Sequence, residues 1–281
     1  MKKQKLLEIH NLTQHYGDFI ALNNISFSIE KGTIIGLLGK NGAGKTTLMK
    51  TILGLLCQYD GEIKFKGKSI NHGDPKIMRK ISSLVDVRFY EDMSAYENLN
   101  YLLMADVKIS KSNRRKKIDE LLTLVGLENN SSSKVKSFSF GMKQRLALAQ
   151  VFLHDAELII LDEPFVGLDP VGIEFMKSML KQIQREKDAT IIFSSHQLEE
   201  VSDLADEIVA ISDGTIKYCG TLQELQNTNK KYNIWFVGKE MKIEIPYNSE
   251  ILQRTIHEHL KKGIEISKIE VIENALYQLF I

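Results

Sequence analysis

Nine consecutive residues, Gly39-Lys40-Asn41-Gly42-Ala43-Gly44-Lys45-Thr46-Thr47, constrain this chain more than any other stretch. They satisfy in full the spacing Gly-x-x-x-x-Gly-Lys-[Ser/Thr], which cradles phosphate. The apolar run Ile34, Ile35, Leu37 and Leu38 before them reads as a buried strand. Thr46 to Leu56 after them reads as a helix, with Leu48, Ile52 and Leu55 on one face. A glycine-rich turn between strand and helix aims successive backbone N–H groups, and the positive end of the helix dipole, at one point. Gly39, Gly42 and Gly44 keep Cβ atoms out of that cradle, so Gly39, Asn41, Gly42, Ala43, Gly44, Lys45, Thr46 and Thr47 form the expected nucleotide loop. Lys45 supplies a mobile positive charge for the β- and γ-phosphates, and Thr46 a hydroxyl for Mg²⁺.

The 281 residues suffice for one large domain or two modest ones, with ample apolar content for a core. A net charge of +1 gives no push toward nucleic acid. Cys57 and Cys219 lie far apart, which fits a reducing cytosol without a disulfide framework. The basic start, Met1 to Lys5, is followed by no apolar signal region, and no apolar run reaches the length of a membrane-spanning helix.

In chain order, Leu6 to Leu12 and Ile20 to Glu30 read as strands, the second alternating Ile25, Phe27 and Ile29 with polar residues. Tyr16 lies between them; a lone aromatic there reads first as packing. Gly61 to Gly67 and Ile81 to Val85 are further strands, with Asp74-Pro75 starting a short helix between them. From Tyr90 to about Ala149 the pattern turns helical, an insertion into an α/β domain. Its basic run, Arg114 to Lys117, reads as a solvated helix face, with anionic lipid headgroups as the alternative.

Phe138-Ser139-Phe140-Gly141-Met142 then enters a helix. Leu158 to Leu161 is an apolar strand running into Asp162-Glu163-Pro164. Alternation points Asp162 and Glu163 to opposite sides unless the strand ends there, and Pro164 ends it. Two carboxylates at the end of a parallel strand, beside a phosphate loop, suit metal coordination and water activation. Gly167 to Pro170 is a loop, Ile173 to Lys187 a helix, and Thr190 to Ser194 a strand closed by Ser195-His196. Glu207 to Ser212 and Thr215 to Cys219 are joined by an Asp213-Gly214 turn. After Gly220 the texture changes: helix over 222–227, strands over 231–238 and 241–245, helix over 252–260, then a strand over 264–272 and a helical segment over 274–280. Residues 221–281 carry no recognisable chemistry and read as a small accessory domain, leaving 1–220 as the main domain with a helical subdomain over about 90–152.

Taken in order, Tyr16, the 39–47 loop, Ser139 to Arg145, Leu158 to Glu163, Gly167 to Asp169 and His196 resemble the ATP-binding subunit of ATP-binding-cassette (ABC) transporters across most of residues 1–220. The resemblance implies an α/β phosphate-loop ATPase core with an antiparallel β subdomain and a helical insertion, plus the small α+β C-terminal domain. It implies ATP and Mg²⁺ as cofactors. It implies that Tyr16 stacks on adenine and that Asp162 holds Mg²⁺ through water. Glu163 would position or deprotonate the attacking water, His196 would contact the γ-phosphate, and Asp169 would organise the loop that crosses to a partner. It further implies a head-to-tail pair of ATPase subunits, identical or not, with Ser139 and the N–H of Gly141 from one closing over ATP on the other. The pair would sit on the cytoplasmic face of the membrane, bound to a separate permease, with no nucleic acid.

The sequence departs from the family's common pattern at two points. The signature reads Phe-Ser-Phe-Gly-Met where Leu-Ser-Gly-Gly-Gln is usual, and this is similar to the drug- and peptide-exporter branch. Asp86 stands where a glutamine that touches Mg²⁺ is expected, and no glutamine occurs between Gln58 and Gln144. An acidic residue there is similar to lantibiotic-immunity exporters, and its carboxylate is an oxygen donor for a hard cation. Export of an antimicrobial or lantibiotic-like peptide, or of a drug-like molecule, is therefore expected. A soluble ABC protein acting on ribosomes or DNA, and an importer ATPase, are the alternatives.

Overall fold

The structure is a computed structural model that describes residues 4–70, 74–104, 109–237 and 242–273. Two long strands, β1 (Lys5–Tyr16) and β2 (Phe19–Glu30), form a hairpin that leads into β3 (Ile34–Leu38) and α1 (Lys45–Ile52). β4 (Tyr59–Phe65), β5 (Lys68–Ser69), α2 (Pro75–Met78) and β6 (Ile81–Leu84) follow. The helical insertion holds α3 (Ala95–Met104), α4 (Lys111–Leu124) and α5 (Phe140–Val151). Then come β7 (Leu158–Leu161), α6 (Pro170–Lys187), β8 (Thr190–Ser195), α7 (Leu198–Leu204), β9 (Glu207–Ser212) and β10 (Thr215–Gly220). The remainder is α8 (Leu222–Asn229), β11 (Lys230–Phe236), β12 (Lys242–Pro246), α9 (Ser249–Lys261) and β13 (Ile266–Glu273).

These strands make an antiparallel sheet ordered β2-β1-β4-β5, a central sheet ordered β10-β9-β3-β8-β7-β6, and a small sheet ordered β12-β11-β13. The central sheet is parallel from β9 to β6, with β10 returning antiparallel at its edge. Its inner strands β3, β7 and β8 are buried on both faces, which is why they read in sequence as apolar runs. Alternation then sorts each strand between two cores. Ile34 and Leu38, Ile159 and Leu161, and Ile191 and Phe193 face the helical insertion and α6. Ile35 and Leu37, Leu158 and Ile160, and Ile192 face α1 and the antiparallel sheet. The central sheet is thus the partition between the two cores, and its strand ends are where both sides meet. At Gly36 in β3 an added Cβ would lie 2.3 Å from Val201 Cγ1, so only glycine lets α7 approach this closely.

Several boundaries differ from the sequence expectation. α1 ends at Ile52, and Gly54 takes a left-handed φ of 68°, so Leu55 falls beyond the helix and is 62% exposed instead of joining Leu48 and Ile52. α6 starts three residues earlier than expected, at Pro170, because Asp169 caps it. The seven-residue α7 was not anticipated; it is too short for a helical period to declare itself. On α4 Arg115 and Lys116 face solvent in i,i+4 pairs with Asp119 and Glu120, while Arg114 and Lys117 are half-buried. In the C-terminal region Phe236 of β11 stacks on His259 of α9, 4.7 Å between rings. The helical segment expected over 274–280 lies outside the described residues.

Candidate functional site

The phosphate loop hangs between β3 and α1 and is tied down from two directions. Gly39 N donates to Ser195 O at the end of β8, and Gly214 N, in the β9–β10 turn, donates to Ala43 O. Gly44 is the N-cap of α1 with φ 106°, and a Cβ there would lie 2.9 Å from Ala21 O of β2. The turn therefore requires glycine for its backbone angle and for the space beside it. Lys45 is 5% exposed; its Nζ donates to Gly39 O at 2.6 Å and lies 3.4 Å from Glu163 Oε1.

β7 lies two strands from β3, with β8 between. It ends at Leu161, which frees Asp162 and Glu163 from strand alternation. Glu163 adopts a left-handed φ of 47°, a conformation that costs a non-glycine residue about 1–2 kcal/mol. Both carboxylates consequently reach the phosphate loop. Thr46 Oγ1 donates to Asp162 Oδ2 at 2.7 Å, and Lys45 meets Glu163. Ser194, fully buried in β8, donates its hydroxyl to Asp162 Oδ1 at 2.6 Å and accepts from Glu163 N at 2.8 Å. The other Glu163 oxygen, Oε2, lies 3.0 Å from His196 Nδ1. One carboxylate is thus oriented against a hydroxyl, and the next is bracketed by an ammonium and an imidazole.

A divalent cation of the Mg²⁺ type is held through one or two protein oxygens together with substrate phosphates and water. The Thr46 hydroxyl and Asp162 carboxylate, already in contact and oriented by Ser194, fit that donor set.

Asp86 follows β6, whose Leu84 O accepts from Asp162 N at 2.9 Å, so its loop starts beside the metal-type pair. The Asp86 backbone is left-handed, φ 52°, and its Oδ2 lies 2.7 Å from Lys50 Nζ. The expected metal donor is therefore engaged by a lysine of α1, with its side chain 70% exposed. Tyr16, at the tip of the β1–β2 hairpin, is about half exposed, as an aromatic presented to a ligand needs to be.

Ser139 and Gly141 stand apart from this group. Ser139 is the N-cap of α5, its Oγ accepting from Met142 N. Phe140 is 56% exposed and lies over Gly167, where a Cβ would sit 2.5 Å from its ring; Gly167 has φ 75°. Gln144 Nε2 donates to Pro164 O, joining α5 to the loop after Glu163. Asp169 Oδ1 accepts from Gly172 N at 2.8 Å, so this carboxylate caps its own helix. Among the described residues no hydrogen bond or ion pair joins 139–141 to 39–47.

Ser194, Gly214 and Lys50 are participants that pattern reading passed over. A buried serine at the end of a strand next to the Asp162 strand was the available signal for Ser194. Nothing local in the sequence announces the other two.

The chain's residues 22–166 match the family model described as ABC transporter. The bacitracin transport ATP-binding protein BcrA of Bacillus licheniformis is 33% identical, the match covering 98% of this chain and 96% of that protein. The lantibiotic transport ATP-binding protein SrtF of Streptococcus pyogenes is 40% identical over 79% of this chain and 96% of its own length. Among solved structures, a post-hydrolysis dimer of an ATP-binding cassette bound to ADP and Pi superposes with a TM-score of 0.71 at 25% identity. That match covers 77% of this chain and 99% of the cassette.

Proposed function

The chain belongs to the ABC transporter ATP-binding family, and on that premise we propose that it drives export of a bacitracin- or lantibiotic-like peptide through a separate membrane subunit. It is an ATPase whose cofactors are ATP and Mg²⁺, and it works as a pair of ATPase subunits. No helix of the described residues is long and apolar enough to cross a membrane. On this reading the permease holds the chain against the cytoplasmic face, with residues 221–281 as an accessory unit.

The observation that carries the reading is the continuous set Thr46–Asp162–Ser194–Glu163–His196 closing around Lys45. Backbone N–H groups of residues 39–47 and the Lys45 ammonium bind the phosphates, and Tyr16 stacks on the base. Mg²⁺, when bound, neutralises charge on the phosphate oxygens. Thr46 and Asp162 are the protein oxygens that would hold it, and Ser194 keeps Asp162 turned toward Thr46. Glu163 Oε1 and Oε2, fixed between Lys45 and His196, orient the attacking water and take its proton. His196 contacts the γ-phosphate from the same side. Ser139 and the N–H of Gly141, at the positive end of α5, close over the ATP of the other subunit, while Asp169 stiffens the loop between them by capping α6.

Affinity capture of the tagged Glu163→Gln chain from detergent-solubilised host membranes with Mg-ATP tests this reading. Recovery of a polypeptide with several long apolar helices, together with peptide sensitivity in cells carrying only the variant, is expected. Recovery of ribosomal or DNA-associated proteins without a membrane subunit would overturn it.

A further inference from the structure

We propose that Lys50 is a positioning residue of the hydrolytic site: paired with Asp86, it neutralises the carboxylate that the loop after β6 brings to the side of the Thr46–Asp162 pair. The proposal rests on the Mg-ATP reading above and adds a residue to it.

Lys50 lies four residues beyond Thr46 on α1, one turn along the same helix face. Its Nζ is 2.7 Å from Asp86 Oδ2. The Asp86 loop leaves β6 just after Leu84, whose carbonyl is bonded to Asp162 N. Three carboxylates, those of Asp86, Asp162 and Glu163, therefore belong to segments around the mouth of the phosphate loop. Lys45 is already committed to Gly39 O, Lys40 O and Glu163, and the Asp162 oxygens to Thr46 and Ser194. The ammonium that answers Asp86 is Lys50.

An ion pair this exposed adds little to folding stability, so its consequence lies in the local field. A bare carboxylate near Asp162 repels a metal-free triphosphate and attracts a divalent cation. With Lys50 in contact, both effects are largely cancelled. The Lys50 ammonium is itself held above its usual range, chiefly by its hydrogen bond to Asp86, against a smaller opposing effect of burial.

The test uses the purified full chain and reads ATP affinity in EDTA, by displacement of a fluorescent ATP analogue, and the Mg²⁺ concentration for half-maximal hydrolysis. Lys50→Gln should weaken metal-free ATP about threefold to tenfold and lower the Mg²⁺ requirement, because it uncovers the carboxylate. Asp86→Gln should shift both quantities the opposite way. The double variant should return to within about twofold of the parent, and Lys50→Arg should match it. Equal weakening in Lys50→Gln and the double variant would mean that Lys50 touches the phosphates itself, and would overturn the pairing. So would an ATP-binding parent whose variants all behave alike. A parent that binds no ATP would overturn the nucleotide reading, and this proposal with it.

Discussion

The two halves of the candidate site are built in opposite ways. Around the phosphate loop, Lys45, Thr46, Asp162, Glu163, Ser194 and His196 come from three separate segments and are joined to one another within a single chain. The signature half, Ser139 to Gly141, directs its serine to its own helix and packs the Phe140 ring on Gly167. Apolar side chains at Phe140, Val166 and Val171 remain exposed around it. The first half is arranged to act on a ligand delivered to it; the second is arranged to be presented to something outside the chain. The head-to-tail pairing of subunits proposed above would reconcile them, because each phosphate-loop half would then receive the signature half of the other subunit.

Three substitutions break or sharpen this contrast. The largest effect belongs to Glu163→Gln, which should lower the hydrolysis rate about 10²–10⁴-fold while leaving ATP binding intact. A loss below tenfold in single-turnover measurements would remove Glu163 from the role of base. Next is Ser139→Ala in the Glu163→Gln background. ATP-induced pairing, followed by analytical ultracentrifugation, should weaken at least about tenfold, since one charge-assisted contact is lost, with single-chain ATP affinity unchanged. A parallel fall in ATP affinity of the isolated chain would contradict the division into halves. The smallest effect is on folding: Gly167→Ala should destabilise by about 1–2 kcal/mol from its positive φ and the crowding against Phe140. Adding Phe140→Ala should recover the crowding part in denaturant titrations. Strict additivity of the two changes would show that the ring and the loop are not coupled.

Much of this was legible without coordinates. The phosphate loop declares itself because its chemistry requires glycines and a lysine at fixed spacing, whatever surrounds it. The central strands were readable because burial on both faces demands apolar runs, and Asp162-Glu163 because Pro164 stops the strand behind them. Asp169-Pro170 offered a capping signal that reading 167–170 as a loop passed over, and α6 begins there. Leu55 misled because a helical period cannot show where Gly54 ends the helix.

Residue order alone carries the chemistry on offer: a phosphate cradle, two adjacent carboxylates, a histidine at a strand end and a serine–glycine helix start. Those depend on residue type and local spacing, which the chain carries in its order. Which of these groups meet is settled by the packing of the folded chain. The left-handed turn at Glu163, the buried Ser194 serving both acidic residues, and the Lys50–Asp86 pair all join segments that lie far apart in the chain. Contacts of that kind follow from the strand order β3-β8-β7-β6, which is set by how two cores pack on either side of one sheet.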